Sequence, residues 1–205
     1  LVLFSLGIGV TLGIYIMLPL YLVTEHGIPR SLANTVVSLS RVSCIAMAFV
    51  GGWAADRFGS KRSIGIILVV SGLMTVFLGS ATGSGVIPAV FLQPLVAACF
   101  FPPGIAALSS IGPPSVRNVT ISLTVPFGFF IGAGAVPAGI GFVGETGSFG
   151  LGITIVGVLT IFGAILSRFL RLGDMRRSET VPHDYSLTTD PSDDNIPATL
   201  PPRHR

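Results

Sequence analysis

The sequence predicts an all-α membrane protein whose chain crosses the bilayer six times. Half of its 205 residues are hydrophobic, 10% are Asp, Glu, Lys or Arg, and the mean hydropathy is +0.82. A typical soluble domain carries about 25% charged residues. The charges are also segregated, because nine of them lie in residues 1–167 and twelve lie in residues 168–205. The composition therefore excludes a soluble enzyme core and predicts an apolar helical domain with a polar tail.

The lengths of the charge-free runs determine the number of helices. An α-helix rises about 1.5 Å per residue, so about 20 apolar residues cross the hydrocarbon core. Four runs of 22 to 27 residues, one of them interrupted by Arg41, each fit a single span. The remaining run, residues 63–116, contains 54 residues and needs two helices, which the polar stretch at 80–85 separates with a turn. The six predicted helices cover residues 1–23, 32–54, 63–80, 86–110, 116–141 and 148–170.

Residues 1–172 form the predicted transmembrane domain, and a tail follows at residues 173–205. The tail is rich in Asp, Ser, Thr and Pro and contains six of the nine acidic residues. Such a segment cannot bury enough apolar surface to fold alone, so we expect a disordered tail. At the other end, Leu1 already lies inside an apolar run, and we expect the sequence to be a fragment of a longer chain.

The distribution of Lys and Arg predicts the orientation of the helices. Cytoplasmic connections carry an excess of these residues. One set of connections has only Arg30, whereas the other set has eight Lys or Arg residues. We therefore expect the loops at 55–62 and 111–117 and the tail to be cytoplasmic, in a plasma membrane or an inner membrane. The eight residues are Arg57, Lys61, Arg62, Arg117, Arg168, Arg171, Arg176 and Arg177.

The charged loop between the second and third predicted helices is the most informative motif. Residues 51–62 read Gly-Gly-Trp-Ala-Ala-Asp-Arg-Phe-Gly-Ser-Lys-Arg. Gly51 and Gly52 permit close contact between helices, and Gly59 permits a tight turn. The pattern predicts a short, charged connection at the membrane surface.

Asp56 is the acidic residue of this loop. A carboxylate at the membrane surface requires hydrogen-bond donors, and the free N–H groups at the start of a neighbouring helix supply them. The fifth predicted helix begins beside Arg117. We therefore expect Asp56 to bond the start of that helix, near Arg117, and to form a cytoplasmic gate.

This loop resembles the signature loop of the major facilitator superfamily of secondary transporters, which joins the second and third helices of each six-helix half. A second similarity is an Arg that follows a Pro-containing loop before the fifth helix, found here in residues 112–117. The resemblance implies one half of a twelve-helix bundle, which moves a solute by alternating access around a central site. The residues that match the two patterns are Gly52, Asp56, Arg57, Gly59, Lys61, Arg62 and Arg117.

The sequence departs from the family's antiporter branch. That branch carries adjacent Gly and Pro in the fifth helix of the half and an Arg early in the fourth. Here Gly134 and Pro137 are separated, and Gln93 and Pro94 stand where that Arg would be. The departure disfavours drug antiport. We expect a symporter, for which H+ or Na+ is the candidate coupling ion. A sixth helix followed directly by a polar tail favours the C-terminal half, helices 7–12, so that the other six-helix half is missing from this sequence.

Arg41 is the only charged residue deep inside a predicted span, about 3 Å from the midplane of residues 31–55 at about 1.5 Å per residue. Intramembrane charges usually face a bundle interior or an aqueous cavity. Asn34, Ser38 and Arg41 are spaced i, i+4 and i+7 and so share one helix face. Arg41 then either binds a small polar or anionic solute or pairs structurally with a carboxylate, and the sequence leaves both interpretations open.

Three further polar residues are candidates for the same cavity. Tyr15 and Thr11 lie on the first span, and Gln93 lies on the fourth. Polar side chains inside spans also hydrogen-bond neighbouring helices. For these three residues the sequence favours that structural role over contact with the solute.

The sequence contains no pattern typical of an enzyme or a metal centre. Two of its three His residues lie in the tail, and neither a Gly-x-Ser-x-Gly motif nor a phosphate-binding loop occurs. We expect no catalytic residue, cofactor, bound metal or nucleic-acid partner. Two alternatives to a transporter half stay open: a six-helix pore, and a non-transporting membrane module that binds a partner protein or anchors the tail.

Overall fold

The computed structural model describes residues 1–110 and 114–167, excluding the side chains of residues 114–117. Six helices in this part of the chain are long and apolar enough to cross a membrane, which confirms the predicted fold class. The predicted tail lies outside the described residues. The helices are α1 (Val2–His26), α2 (Arg30–Phe58), α3 (Ser60–Ser80), α4 (Gly83–Ser109), α5 (Pro114–Thr146) and α6 (Phe149–Ser167).

The helix ends follow local sequence signals. Gly59 alone separates α2 from α3, and its φ of 83° and ψ of 144° lie in a region that residues with a side chain rarely adopt. The connection between α3 and α4 passes through Ala81 and Thr82, within the predicted turn. α2 extends beyond the predicted 32–54 at both ends, because charged residues outside the hydrocarbon core do not interrupt the backbone hydrogen bonds of a helix.

α1 is the central helix and packs against the five others. Near its start, Phe4 and Ile8 join an apolar cluster with Phe100 of α4. Near its end, Tyr21 is fully buried in a second cluster, and its hydroxyl donates to the carbonyl of Leu78 at 2.9 Å. By contrast, α2 and α5 bury the smallest share of their residues, so both present broad apolar faces outside this packing.

α3 and α6 pack along a glycine seam formed by Gly72 and Gly79 of α3 and Gly150 and Gly157 of α6. A Cβ atom at Gly79 would lie 2.5 Å from the carbonyl oxygen of Gly150, and one at Gly72 would lie 2.9 Å from that of Gly157. The numbers rise along one helix while they fall along the other, so the two helices are antiparallel. Because these positions lack side chains, the two backbones approach closely.

Candidate functional site

Two π-helical segments interrupt the transmembrane helices. One covers Gly9–Gly13 in α1 and the other covers Phe130–Ala135 in α5, and the two segments contact each other. A Cβ atom at Gly132 would lie 2.7 Å from the backbone nitrogen of Gly9, so this contact is one of backbone against backbone. π-Helical turns alter the regular hydrogen-bond ladder and often occur at functional sites.

Arg41 reaches from α2 to the π-helical segment of α1. Its guanidinium donates to the carbonyl of Thr11 at 2.5 Å, and its central carbon lies 4.0 Å from the centre of the Tyr15 ring. Both Arg41 and Tyr15 are half-buried. The structure therefore brings together three of the residues that the sequence identified, and it holds the guanidinium by a carbonyl and an aromatic face.

If Arg41 had a purely structural role, it would form an ion pair with a carboxylate. Within residues 1–110 and 118–167, no Asp or Glu forms an ion pair with Arg41. A guanidinium carries five N–H donors, and the bond to Thr11 leaves others available. Arg41 is therefore a positioned cation with remaining capacity to bind an anion.

Gln93 lies on α4 and bonds the same segment of α1. Its side chain is 2% exposed, and its amide donates to the carbonyl of Val10 at 3.0 Å and to the hydroxyl of Thr75 at 3.1 Å. Thr11 is also buried, and its hydroxyl lies 2.7 Å from the carbonyl of Gly7 and 3.3 Å from that of Ala97. Gln93 thus connects α4 with α1 and α3, and Thr11 connects α1 with α4, which is the kind of contact that the sequence favoured for them.

Replacing Gln93 with Leu should lower the free energy of unfolding by about 1–3 kcal/mol, because the carbonyl of Val10 would lose a buried donor. Thr75→Val should have a smaller effect, since Gln93 would keep its bond to Val10. The thermal unfolding temperature of the purified protein in detergent measures both changes. Equal stability of Gln93→Leu and the unmodified protein would contradict this role.

Asn34 and Ser38 occupy a different environment from Arg41. Both are exposed, and together with Leu39 and Val42 they line a shallow hollow of about 460 Å³ on α2. Arg41 is not part of this lining, because its long side chain turns toward α1. The predicted polar stripe therefore divides into an exposed portion and a cation directed at α1.

The signature loop is tightly packed at Gly51. A Cβ atom there would overlap the main chain of Cys99 in α4, whereas one at Gly52 would lie 3.8 Å from Pro102. Close helix contact therefore depends on the absence of a side chain at Gly51, whereas a Cβ atom at Gly52 would make an ordinary van der Waals contact. Across the turn, the hydroxyl of Ser63 donates to the carbonyl of Ala54 at 2.8 Å.

The charged residues of the signature loop remain near the surface. Asp56, Arg57 and Arg62 are exposed, and Lys61 is half-buried. In the described part of the chain, Asp56 forms no ion pair. The side chain of Arg117 lies outside the described residues, so its contact with Asp56 stays a prediction.

A carboxylate at a helix start does occur, but at a position that the sequence analysis missed. Glu25, at the end of α1, accepts a hydrogen bond from the backbone N–H of Gly150 at 3.1 Å. This N–H is among the groups left free at the start of α6, where a negative charge is favourable. The sequence did contain a signal for this contact. Glu25 lies on the side of the membrane opposite the signature loop, and the start of α6 lies on that same side.

Comparison with known proteins gives one clear result. The model of the family described as Major Facilitator Superfamily matches residues 1–192, which is most of the chain. No curated protein matches it. Among the described residues, no group of His, Cys, Asp or Glu could hold a metal ion. With six apolar helices and the signature loop in place, the chain belongs to the Major Facilitator Superfamily of membrane transporters, whose members are generally not enzymes.

Proposed function

We propose that the protein transports a small anionic or polar solute by alternating access, as one six-helix half of a secondary transporter. Family membership establishes membrane transport by a secondary transporter. The anionic solute rests on Arg41, whose guanidinium is positioned by Thr11 and Tyr15 without a carboxylate partner among the described residues. A cation deep in a span is unfavourable unless it serves binding or pairing.

The geometry around Arg41 suits reversible binding of an anion. The cation–π contact with Tyr15 holds the guanidinium plane, and the bond to Thr11 limits its rotation. A planar guanidinium can then present its remaining donors to a carboxylate or phosphate in a bidentate arrangement. The solute would replace water at a cation that is already oriented.

The exposed faces of α2 and α5 support a second bundle as the partner of this one. Phe49 on α2 and Phe130 on α5 are 77% and 74% exposed, and both helices bury little within the described chain. We assign this chain to the C-terminal half, with a cytoplasmic tail and cytoplasmic loops at 55–62 and 111–117. The other half would then pack against the exposed faces of α2 and α5. A carboxylate that couples transport to H+ or Na+ would then come from the other half.

Protection of an engineered cysteine tests whether an anion binds beside Arg41. After replacement of Cys44 and Cys99 with Ala, Ser38→Cys places a thiol one turn from Arg41 on an exposed part of α2. Ser43→Cys, also exposed on α2, is the matched control on a different face. Each variant is labelled with a water-soluble thiol reagent in the presence of inorganic phosphate and of mono-, di- and tricarboxylates.

We expect at least one anion to slow the labelling of Ser38→Cys but not that of Ser43→Cys. Adding Arg41→Gln to the Ser38→Cys variant should remove the protection. Protection that persists without Arg41, or absence of protection by every anion tested, would contradict the assignment of Arg41 to an anionic solute. Equal protection at Ser43→Cys would indicate a general conformational change instead of binding near Arg41.

A further inference from the structure

A groove of about 820 Å³ runs between α3 and α6, at the end of the bundle next to the signature loop. Lys61 and Arg62 stand at one end of it, and the aliphatic side chains of Ile66, Val69 and Ile165 form its walls. Ile66 is 60% exposed and Ile165 is 51% exposed, so the walls face outward from the bundle. None of the described residues that line the groove is acidic.

The packing of the two helices explains why a groove exists here. Gly65 approaches Ser167 so closely that a Cβ atom on Gly65 would lie 2.8 Å from the hydroxyl oxygen. Ala164 also lines the groove and adds little volume. The two helices therefore approach closely where the lining residues are small, and the larger aliphatic side chains line the rest of the groove.

We propose that this groove binds an anionic phospholipid, with the headgroup phosphate on Lys61 and Arg62 and an acyl chain along the aliphatic walls. Charge and polarity both favour this occupant, because two cations end an otherwise apolar groove and its aliphatic walls are exposed on the outside of the bundle. Basic pockets between helices on the cytoplasmic side of a membrane bind anionic headgroups. The proposal depends on the assigned cytoplasmic position of this loop, but not on the identity of the transported solute.

A single-tryptophan quenching experiment tests the proposal in the intact protein. Trp53 is the one tryptophan among the 205 residues, and it is 58% exposed on α2. Trp53→Phe combined with Ile66→Trp moves the reporter into the groove. Trp53 and Ile66 lie six and seven residues from Gly59 on opposite sides of the turn, so the two reporters have similar depth. Brominated phosphatidylglycerol and brominated phosphatidylcholine are then compared as quenchers at each position.

At the Ile66→Trp reporter, phosphatidylglycerol should bind more tightly than phosphatidylcholine by about fivefold for each cation that contacts the headgroup. Lys61→Gln with Arg62→Gln should remove this preference. Arg57→Gln is the matched control, because Arg57 belongs to the same loop but lies one turn from Trp53 on α2. It should weaken any preference at Trp53 and leave the preference at Ile66→Trp unchanged.

Three results would overturn the proposal. Equal binding of the two lipids at Ile66→Trp would exclude headgroup selection, and an equal loss of preference in the Arg57→Gln variant would indicate general attraction to a basic surface. Failure of both lipids to quench Ile66→Trp, with normal quenching of Trp53, would mean that lipid does not enter the groove. Quenching by phosphatidylcholine does not depend on charge, so it also shows whether each variant is folded. If the variant with both substitutions misfolds, Arg62→Gln alone should still reduce the preference for phosphatidylglycerol, because Arg62 is exposed.

Discussion

Arg41→Gln should reduce transport of the solute by at least about 100-fold, and Arg41→Lys should retain a small part of the activity. Two charge-assisted hydrogen bonds to an anion contribute about 1.5–3 kcal/mol each, and Gln cannot replace their charge. Lys keeps the charge and its contact with the Tyr15 ring but loses the planar arrangement of donors. Uptake into proteoliposomes that contain the complete transporter, measured with the anion that protects Ser38→Cys, gives the ratio directly.

The control for this prediction is Arg30→Gln, which removes a cation from the exposed first residue of α2 and should leave transport unchanged. The unfolding temperature of each variant separates binding from folding. Arg41 also bonds the carbonyl of Thr11, so Arg41→Gln should lose about 1 kcal/mol of stability. Full transport by Arg41→Gln would exclude a direct role in binding the solute. A large loss of stability in the absence of solute would instead indicate a mainly structural role.

Gly132→Ala should lower the free energy of unfolding by about 1–3 kcal/mol, because an added methyl group would force α1 and α5 apart. A Cβ atom at this position would lie 2.6 Å from the carbonyl oxygen of Ser5 and 2.7 Å from the backbone nitrogen of Gly9. Both are backbone atoms, which cannot move aside without shifting a helix. The substitution therefore acts on the contact between the two π-helical segments.

Gly134→Ala supplies a closely matched control for Gly132→Ala. Gly134 lies two residues along the same segment, and a Cβ atom there would meet nothing within 4 Å. Since Ala has a higher helix propensity than Gly by about 1 kcal/mol, this variant should be as stable as the unmodified protein or slightly more so. Thermal unfolding of the two variants in the same detergent measures the difference. Similar unfolding temperatures would show that the α1–α5 contact adjusts without cost.

The sequence alone was sufficient for features that depend on solvent or on local conformation. Residues 1–167 divide into six spans because the hydrocarbon core requires about 20 apolar residues per crossing, whatever those residues contact. The tight turn at Gly59 was predicted because its conformation is a property of glycine itself. Membership of the family also followed from the loop at 51–62, since its charges and glycines form a compact and distinctive pattern.

The candidate site depended on tertiary structure. Asn34, Ser38 and Arg41 share a helix face in the sequence pattern, but only the position of α1 shows that Arg41 meets Thr11 and Tyr15 while the other two stay exposed. In the same way, the burial of Gln93 depends on its partners on α1 and α3, which are distant in sequence.

The sequence analysis also did not predict the two π-helical segments or the contact of the Glu25 carboxylate with the start of α6. The periodicity of a sequence identifies the faces of each helix, whereas the neighbour that each face meets is decided by the packing of the whole bundle. The sequence therefore determined which segments cross the membrane, and the tertiary structure decided which polar groups meet inside it.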